Sequence, residues 1–130
     1  MRDQSRIDAL LLRRALALQQ QDGKSSALAT DTKELAARFD AAALRGDTVH
    51  QREQARFELM LRRDAPTALV LAKKNWAIQK EPADIRIYLE AAVAARDAGA
   101  AKPVIDWVKQ HQIEDVAAQR LIRQLTNGTT

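Results

Sequence analysis

Alanine and leucine fill 40 of the 130 positions, and only four glycines and three prolines stand among them to interrupt a helix. Ala and Leu are the strongest helix formers, Gly and Pro the weakest. With aromatics at only 4%, this balance predicts an all-α fold and argues against a β-sandwich or a parallel sheet. The length suits one domain, expected over residues 1–130, with a single core. Apolar residues at 46% beside charged residues at 29% describe a globular chain, not a disordered one. No apolar run approaches the roughly 18–20 residues of a membrane span. The polar start Met1-Arg2-Asp3-Gln4-Ser5-Arg6 leads straight into a helical pattern, which predicts no signal peptide. The compartment stays open: cytoplasmic, or exported if residue 1 is a cut site in a longer protein. Cysteine is absent, which removes disulfides, thiolate metal sites and thiol nucleophiles.

Helical periodicity runs nearly from end to end and is punctuated at a few points. Helix 1 is expected from Ile7 to Gln21, closing at Asp22-Gly23, and helix 2 from Asp31 to Leu44, with Ser25 or Ser26 as an earlier cap. Asp47 or Thr48 caps a third helix reaching Arg63, and Asp64-Ala65-Pro66 opens a fourth that ends near Lys80. A fifth spans Ala83–Arg96 and a sixth, with Pro103 in its first turn, ends near His111. The seventh starts at Glu114 or Asp115 and ends near Leu125, leaving Thr126–Thr130 as a frayed tail. Short connections make consecutive helices antiparallel neighbours.

Internal echoes follow the turns. Asp8–Gly23 superposes on Asp84–Gly99, bringing Leu12 onto Tyr88 and Ala15 onto Ala91, while Arg63-Asp64-Ala65 recurs as Arg96-Asp97-Ala98. Three hairpins, at 7–44, 48–80 and 83–111, with a capping helix at 114–125, have the mid-thirties spacing of a stacked helical array.

Asp64-x-x-x-Ala68-Leu69-x-x-Ala72, followed ten residues later by Pro82, resembles the second half of a tetratricopeptide (TPR) repeat. Ala98-Gly99 leading into Val104, Trp107 and Val108 resembles another. Arg45-Gly46-Asp47 through Asn75-Trp76 to Lys80-Glu81-Pro82-Ala83-Asp84 is similar to the C-terminal region of uncharacterised bacterial TPR-like proteins. The resemblance spans residues 35–115. Arg56 stands where the motif has a small residue, and Pro82 comes two residues late. It implies a superhelical α-solenoid segment whose first helices line a concave groove.

On the helical wheel of residues 48–63, Val49, Phe57, Met60 and Leu61 form one apolar sector, and Ala55 and Leu59 a second. Arg52, Arg56 and Arg63 make a stripe between them, opposite a polar face of Gln51, Gln54, Glu58 and Arg62. The stripe either clamps a carboxylate or acidic peptide in the groove or pairs with Asp40, Asp47 or Glu90. Helix 5 has almost no polar face and should be central; Arg86 and Glu90 are an expected i,i+4 pair on its narrow strip and complete the candidate groove. Asn75, Trp76 and Trp107 read as structural anchors, Asn75 as a buried amide bonded to a neighbouring turn. Ala117, Leu121 and Leu125, flanked by Ala118 and Ile122, give helix 7 a one-sided apolar stripe.

No catalytic set emerges. His50 and Glu53 lack a second histidine, His111 stands near the end of helix 6, and there is no Gly-rich phosphate loop or metal-ligand cluster. The expectation is a non-catalytic interaction scaffold without cofactor or metal, binding a peptide or partner domain. A capping, spacer or homodimerising module of a longer repeat protein is one alternative, and weak nucleic-acid binding through the arginines is a second. The net charge of +4 is spread evenly, with 12 bases and 10 acids up to residue 65 and 9 and 7 after it. That argues against a nucleic-acid partner, since such binders concentrate their basic excess.

Overall fold

A computed structural model describes residues 2–21, 26–46 and 50–127, with side chains from Asp8 onward. The described residues form seven α-helices: α1 (Arg2–Gln21), α2 (Ser26–Leu44), α3 (Gln51–Met60), α4 (Ala65–Trp76), α5 (Pro82–Ala94), α6 (Lys102–Gln110) and α7 (Val116–Asn127). A 3-10 turn at Gly99–Ala101 leads into α6, and no strand occurs among the described residues. The all-α expectation holds. The expected caps at Asp22-Gly23, Ser25, Asp47 and Thr48, together with Val49 and the end of the tail, lie outside the described residues.

The ends of the helices differ from expectation for local reasons. α3 stops at Met60, three residues short of Arg63, because Arg63 takes φ 56° and the Arg62 and Asp64 N–H groups turn back onto the Phe57 and Glu58 carbonyls. α4 stops at Trp76 instead of Lys80. Glu81 precedes a proline and is driven into extended geometry (φ −80°, ψ 167°), so the helix must end before it. The Lys80 ammonium then donates to the Trp76 carbonyl at 2.8 Å, satisfying one of the carbonyls left open at that end. In α7 the helix continues through Thr126 and Asn127, where fraying was expected.

One turn chemistry recurs. Arg63, Arg96 and Gln112 all adopt left-handed backbone (φ 56°, 55° and 51°). Downstream of each, an aspartate accepts the backbone N–H three residues on: Asp64 from Thr67 (3.2 Å), Asp97 from Ala100 (3.1 Å) and Asp115 from Ala118 (2.9 Å). A left-handed non-glycine residue costs about 1–2 kcal/mol, which glycine would avoid at the expense of a freer unfolded chain. Arg96→Gly is therefore expected to raise stability by about 0.5–1 kcal/mol, read as a higher denaturation midpoint with an unchanged m-value.

Packing divides the apolar residues into two clusters that meet on α3. Leu12, Ala15, Leu28, Leu35, Phe39 and Phe57 form the N-terminal cluster, with Leu61 packed against it. The C-terminal cluster runs from Ala55 through α4, α5 and α6 to Leu125 of α7, with Leu59 packed against it. Phe57 and Leu61 thus face one core and Ala55 and Leu59 the other, while Met60 of the first sector is 39% exposed. α1 packs on α2 and α3, α3 on α4 and α5, and α5 on α4, α6 and α7, so the odd-numbered helices touch in series. α5 is central, with Ile85, Ile87, Leu89, Ala91 and Ala92 at most 1% exposed. In α7 Ala118, Ile122 and Leu125 are buried and Leu121 packs partly buried on the same cluster, facing α5; of the expected stripe and its flanks, Ala117 alone is exposed.

Candidate functional site

The candidate groove residues do not converge on one point. Arg52, near the start of α3, reaches across to the turn before α5, where its guanidinium lies 3.3 Å from Asp84 Oδ1 and 3.5 Å from Glu81. These are not the acids expected from the sequence (Asp40, Asp47 or Glu90), because Pro82 starts α5 where its first turn meets α3. Asp84 is 1% exposed and does three jobs. It accepts from Arg52, from the Asn75 side-chain amide at 2.7 Å, and through its second oxygen from the Glu81 backbone N–H at 2.8 Å. Gln79 in turn donates to Asn75 Oδ1 at 2.8 Å. A buried acid needs its charge matched and its lone pairs filled, and this network supplies both. Arg52 and Asn75 are structural.

Arg63 leaves the stripe altogether, since it lies beyond α3 in the left-handed turn. Arg86 binds Asp115 at 2.7 Å and not Glu90, because Asp115 is fixed at the start of α7 beside it. Arg56 remains exposed on the face between α1, α3 and α5 and forms no ion pair among the described residues. A hollow of about 280 Å³ opens there, with Leu12 and Leu16 as its apolar side and Arg13, Glu53 and Arg56 as its charged side.

Glu90 is half-buried, and burial pushes its carboxyl above the ordinary glutamate range, with Arg56 and Arg86 pulling it part of the way back. The fold therefore holds this proton more tightly than the unfolded chain does. Stability carried by such a group is full below the unfolded value, about 4.3, and is lost as the pH rises through the higher folded value. Glu90→Gln is expected to melt above the native protein at neutral pH, with the gap closing as the pH falls toward about 4. Paired thermal melts across that range check it.

The aromatic anchors form their own cluster. Trp76 meets Tyr88 and Trp107 edge-on at 6.0 and 5.8 Å, and the Lys80 ammonium lies 5.2 and 5.6 Å from the two indole centres. Burial raises the Tyr88 phenol, whose O–H donates to the Ala100 carbonyl at 2.7 Å. His111 packs on Trp107 with centres 3.9 Å apart. Among the described residues no three His, Cys, Asp or Glu side chains gather as metal ligands, and no helix is long and apolar enough to cross a membrane.

The face of α3 assigned to solvent is buried instead. Gln51, Gln54 and Glu58 are 7%, 6% and 6% exposed. Gln54 and Glu58 form the floor of a groove of about 340 Å³ flanked by α2 and α4, with the Phe39 and Phe57 rings, 5.2 Å apart, beside them. Burial pushes the Glu58 carboxyl above its usual range against the pull of Arg62, which binds it at 2.7 Å and Asp40 at 3.4 Å. The sequence carried one signal of this: positions 51, 54 and 58 have the i, i+3, i+7 spacing of a buried stripe. Asp8 and Asp31 are buried as well. Asp8 pairs with Arg38 at 3.1 Å, and Asp31 Oδ2 lies 3.0 Å from Arg14 in a geometry that makes no hydrogen bond.

Comparison with protein-family models, with curated proteins and with solved structures finds no match for the chain.

Proposed function

We propose that the chain is a short TPR-like array acting as a non-catalytic scaffold, which holds an acidic peptide or partner segment on the face shared by α1 and α3. A recurrence supports the array. Arg52, near the start of α3, binds Glu81, the residue before α5; Arg86, near the start of α5, binds Asp115, the residue before α7. Each bridge spans 29 residues, and one maps onto the other with the same displacement of 34 at both ends. The left-handed turns at Arg63 and Arg96 repeat at nearly the same period. Units that make the same contact with the next unit are what a stacked repeat requires.

The ligand face is argued from two arginines that close no ion pair among the described residues, although Arg56 also acts on Glu90 through its charge. Arg52, Arg62 and Arg86 are engaged by acids, whereas Arg13 and Arg56 border the hollow beside α1 with a single carboxylate, Glu53, and form no ion pair among the described residues. Guanidinium groups flanking an apolar strip suit a segment that alternates carboxylates with leucines. A fluorescein-labelled hexapeptide alternating glutamate and leucine should bind the full chain. The double change Arg13→Ala, Arg56→Ala should weaken it about tenfold or more, the size of one lost charged hydrogen bond, with the melting temperature unchanged. Equal anisotropy titrations for the two proteins would refute the assignment.

A further inference from the structure

The groove between α2 and α4 shares only α3 with the hollow beside α1, presents other α3 residues, and has the opposite chemistry. The chain carries net +4, yet this groove is lined by three carboxylates, Asp40, Glu58 and Asp64, against Arg62 and Lys74. Its floor holds acceptors with capacity to spare. Arg62 occupies only one oxygen of Glu58, and Glu58 Oε2 takes no hydrogen bond among the described residues. Gln54 turns its amide NH₂ toward the Phe39 carbonyl at 3.5 Å, which fixes the other end of the side chain as the oxygen, and that oxygen accepts nothing among the described residues. Both side chains are 6% exposed, and their free oxygens are the parts that reach the open groove, since neither is among the buried atoms left without a partner.

What the groove asks of an occupant follows. An anion would meet Glu58 and Asp40. A purely apolar group would cover these oxygens without pairing them, at a cost comparable to a lost hydrogen bond for each. A group rich in N–H donors and positively charged fits both acceptors and the carboxylates around them. The chain itself illustrates the match: the Arg62 guanidinium lies 5.0 Å over the Phe57 ring while binding Glu58 and Asp40. The open volume, about 340 Å³, is counted with Arg62 already in place and sits at the low end of ligand sites, roughly 300–1,000 Å³. Ala43 and Val70, both exposed at its edges, offer apolar contact to residues on either side of an inserted side chain.

We propose that this groove receives an arginine or lysine side chain from an extended basic segment of a partner protein, with Glu58 and Gln54 as acceptors. The occupant's charge is matched by Glu58 at the bottom and Asp40 at the rim, and Arg62 remains as the side wall.

The test is an NMR titration of the ¹⁵N-labelled full chain with the tetrapeptide acetyl-Ala-Arg-Leu-Ala-amide and with its counterpart carrying glutamate for arginine. The arginine peptide should shift the Gln54 side-chain amide and the Phe57 and Glu58 backbone signals saturably, and the glutamate peptide should leave them unmoved. Glu58→Gln should weaken the arginine peptide about tenfold, the size of a lost charged hydrogen bond. Asp40→Asn, on the exposed rim, should weaken it by about threefold, and it carries the test if Glu58→Gln does not fold. Shifts that fall on the α1–α3 hollow, or affinities unchanged by the variants that fold, would overturn the proposal. Loss of acidic-peptide binding in the Arg13, Arg56 variant leaves this result untouched, so the two sites fail separately.

Discussion

Phe57→Ala is expected to cost about 3–5 kcal/mol, the range for emptying a fully buried aromatic position. Phe57 is 0% exposed and is the α3 side chain fully inside the N-terminal cluster, where its ring lies 5.2 Å from Phe39. The loss should fall unevenly. α5 and its neighbours form a cluster in which Phe57 takes no part, whereas α1 and α2 share with α3 the core that Phe57 fills. Hydrogen exchange should show amides around Leu28, Leu35 and Phe39 losing protection first while those of Ile87 and Leu89 keep theirs. Against a total stability of about 5–15 kcal/mol, the thermal midpoint should drop by about 10–20 °C. Phe57→Leu, which keeps most of the volume, should cost under about 1.5 kcal/mol. A uniform loss of protection throughout the chain would mean that the two clusters open as one unit.

The second large effect lies at Asp84. Asp84→Ala takes the acceptor away from Arg52, Asn75 and the Glu81 N–H at once, and all three donors sit at the junction of α3, α4 and α5. Removing one member of a buried charged pair typically costs about 3–5 kcal/mol, because the other is left without compensation. The reciprocal change should be milder. Arg52 is 30% exposed, so Arg52→Ala leaves Asp84 still bonded to Asn75 and to the backbone and should cost about 1 kcal/mol. Urea unfolding of both single variants and the double variant gives the coupling, expected within about 0.5–3 kcal/mol. If Arg52→Ala proved as costly as Asp84→Ala, the aspartate would not be the hub of this network.

Several features were legible from residue order alone. The helical class followed from the Ala and Leu content. The breaks followed from Gly, Pro and Asp, whose effects act within one turn of chain; Asp64 and Asp115 were expected at helix starts, and Asp97 in the stop after helix 5. The two apolar sectors of α3 were visible because a helical wheel needs no partner to draw it. Its polar side was misjudged for the same reason. Periodicity gives the direction of a side chain on its own helix and says nothing of which neighbour covers it, so Gln51, Gln54 and Glu58 read as a water-facing side until α2 and α4 are placed around them.

The arginines make the same point. Arg52, Arg56 and Arg63 share one angular position on a wheel, yet one binds a buried aspartate, one stays exposed, and one leaves the helix at a left-handed turn. Arg86 prefers Asp115, 29 residues away, to Glu90 on the next turn of its own helix, since ion-pair geometry is set by how α5 meets the start of α7. Helix content, turn sites and amphipathic faces are short-range properties, governed by backbone sterics and the 3.6-residue period, and residue order suffices for them. Burial of a charge, the choice of its counter-ion and the opening of a groove depend on contacts between residues distant in the chain, and these exist only once the helices have packed.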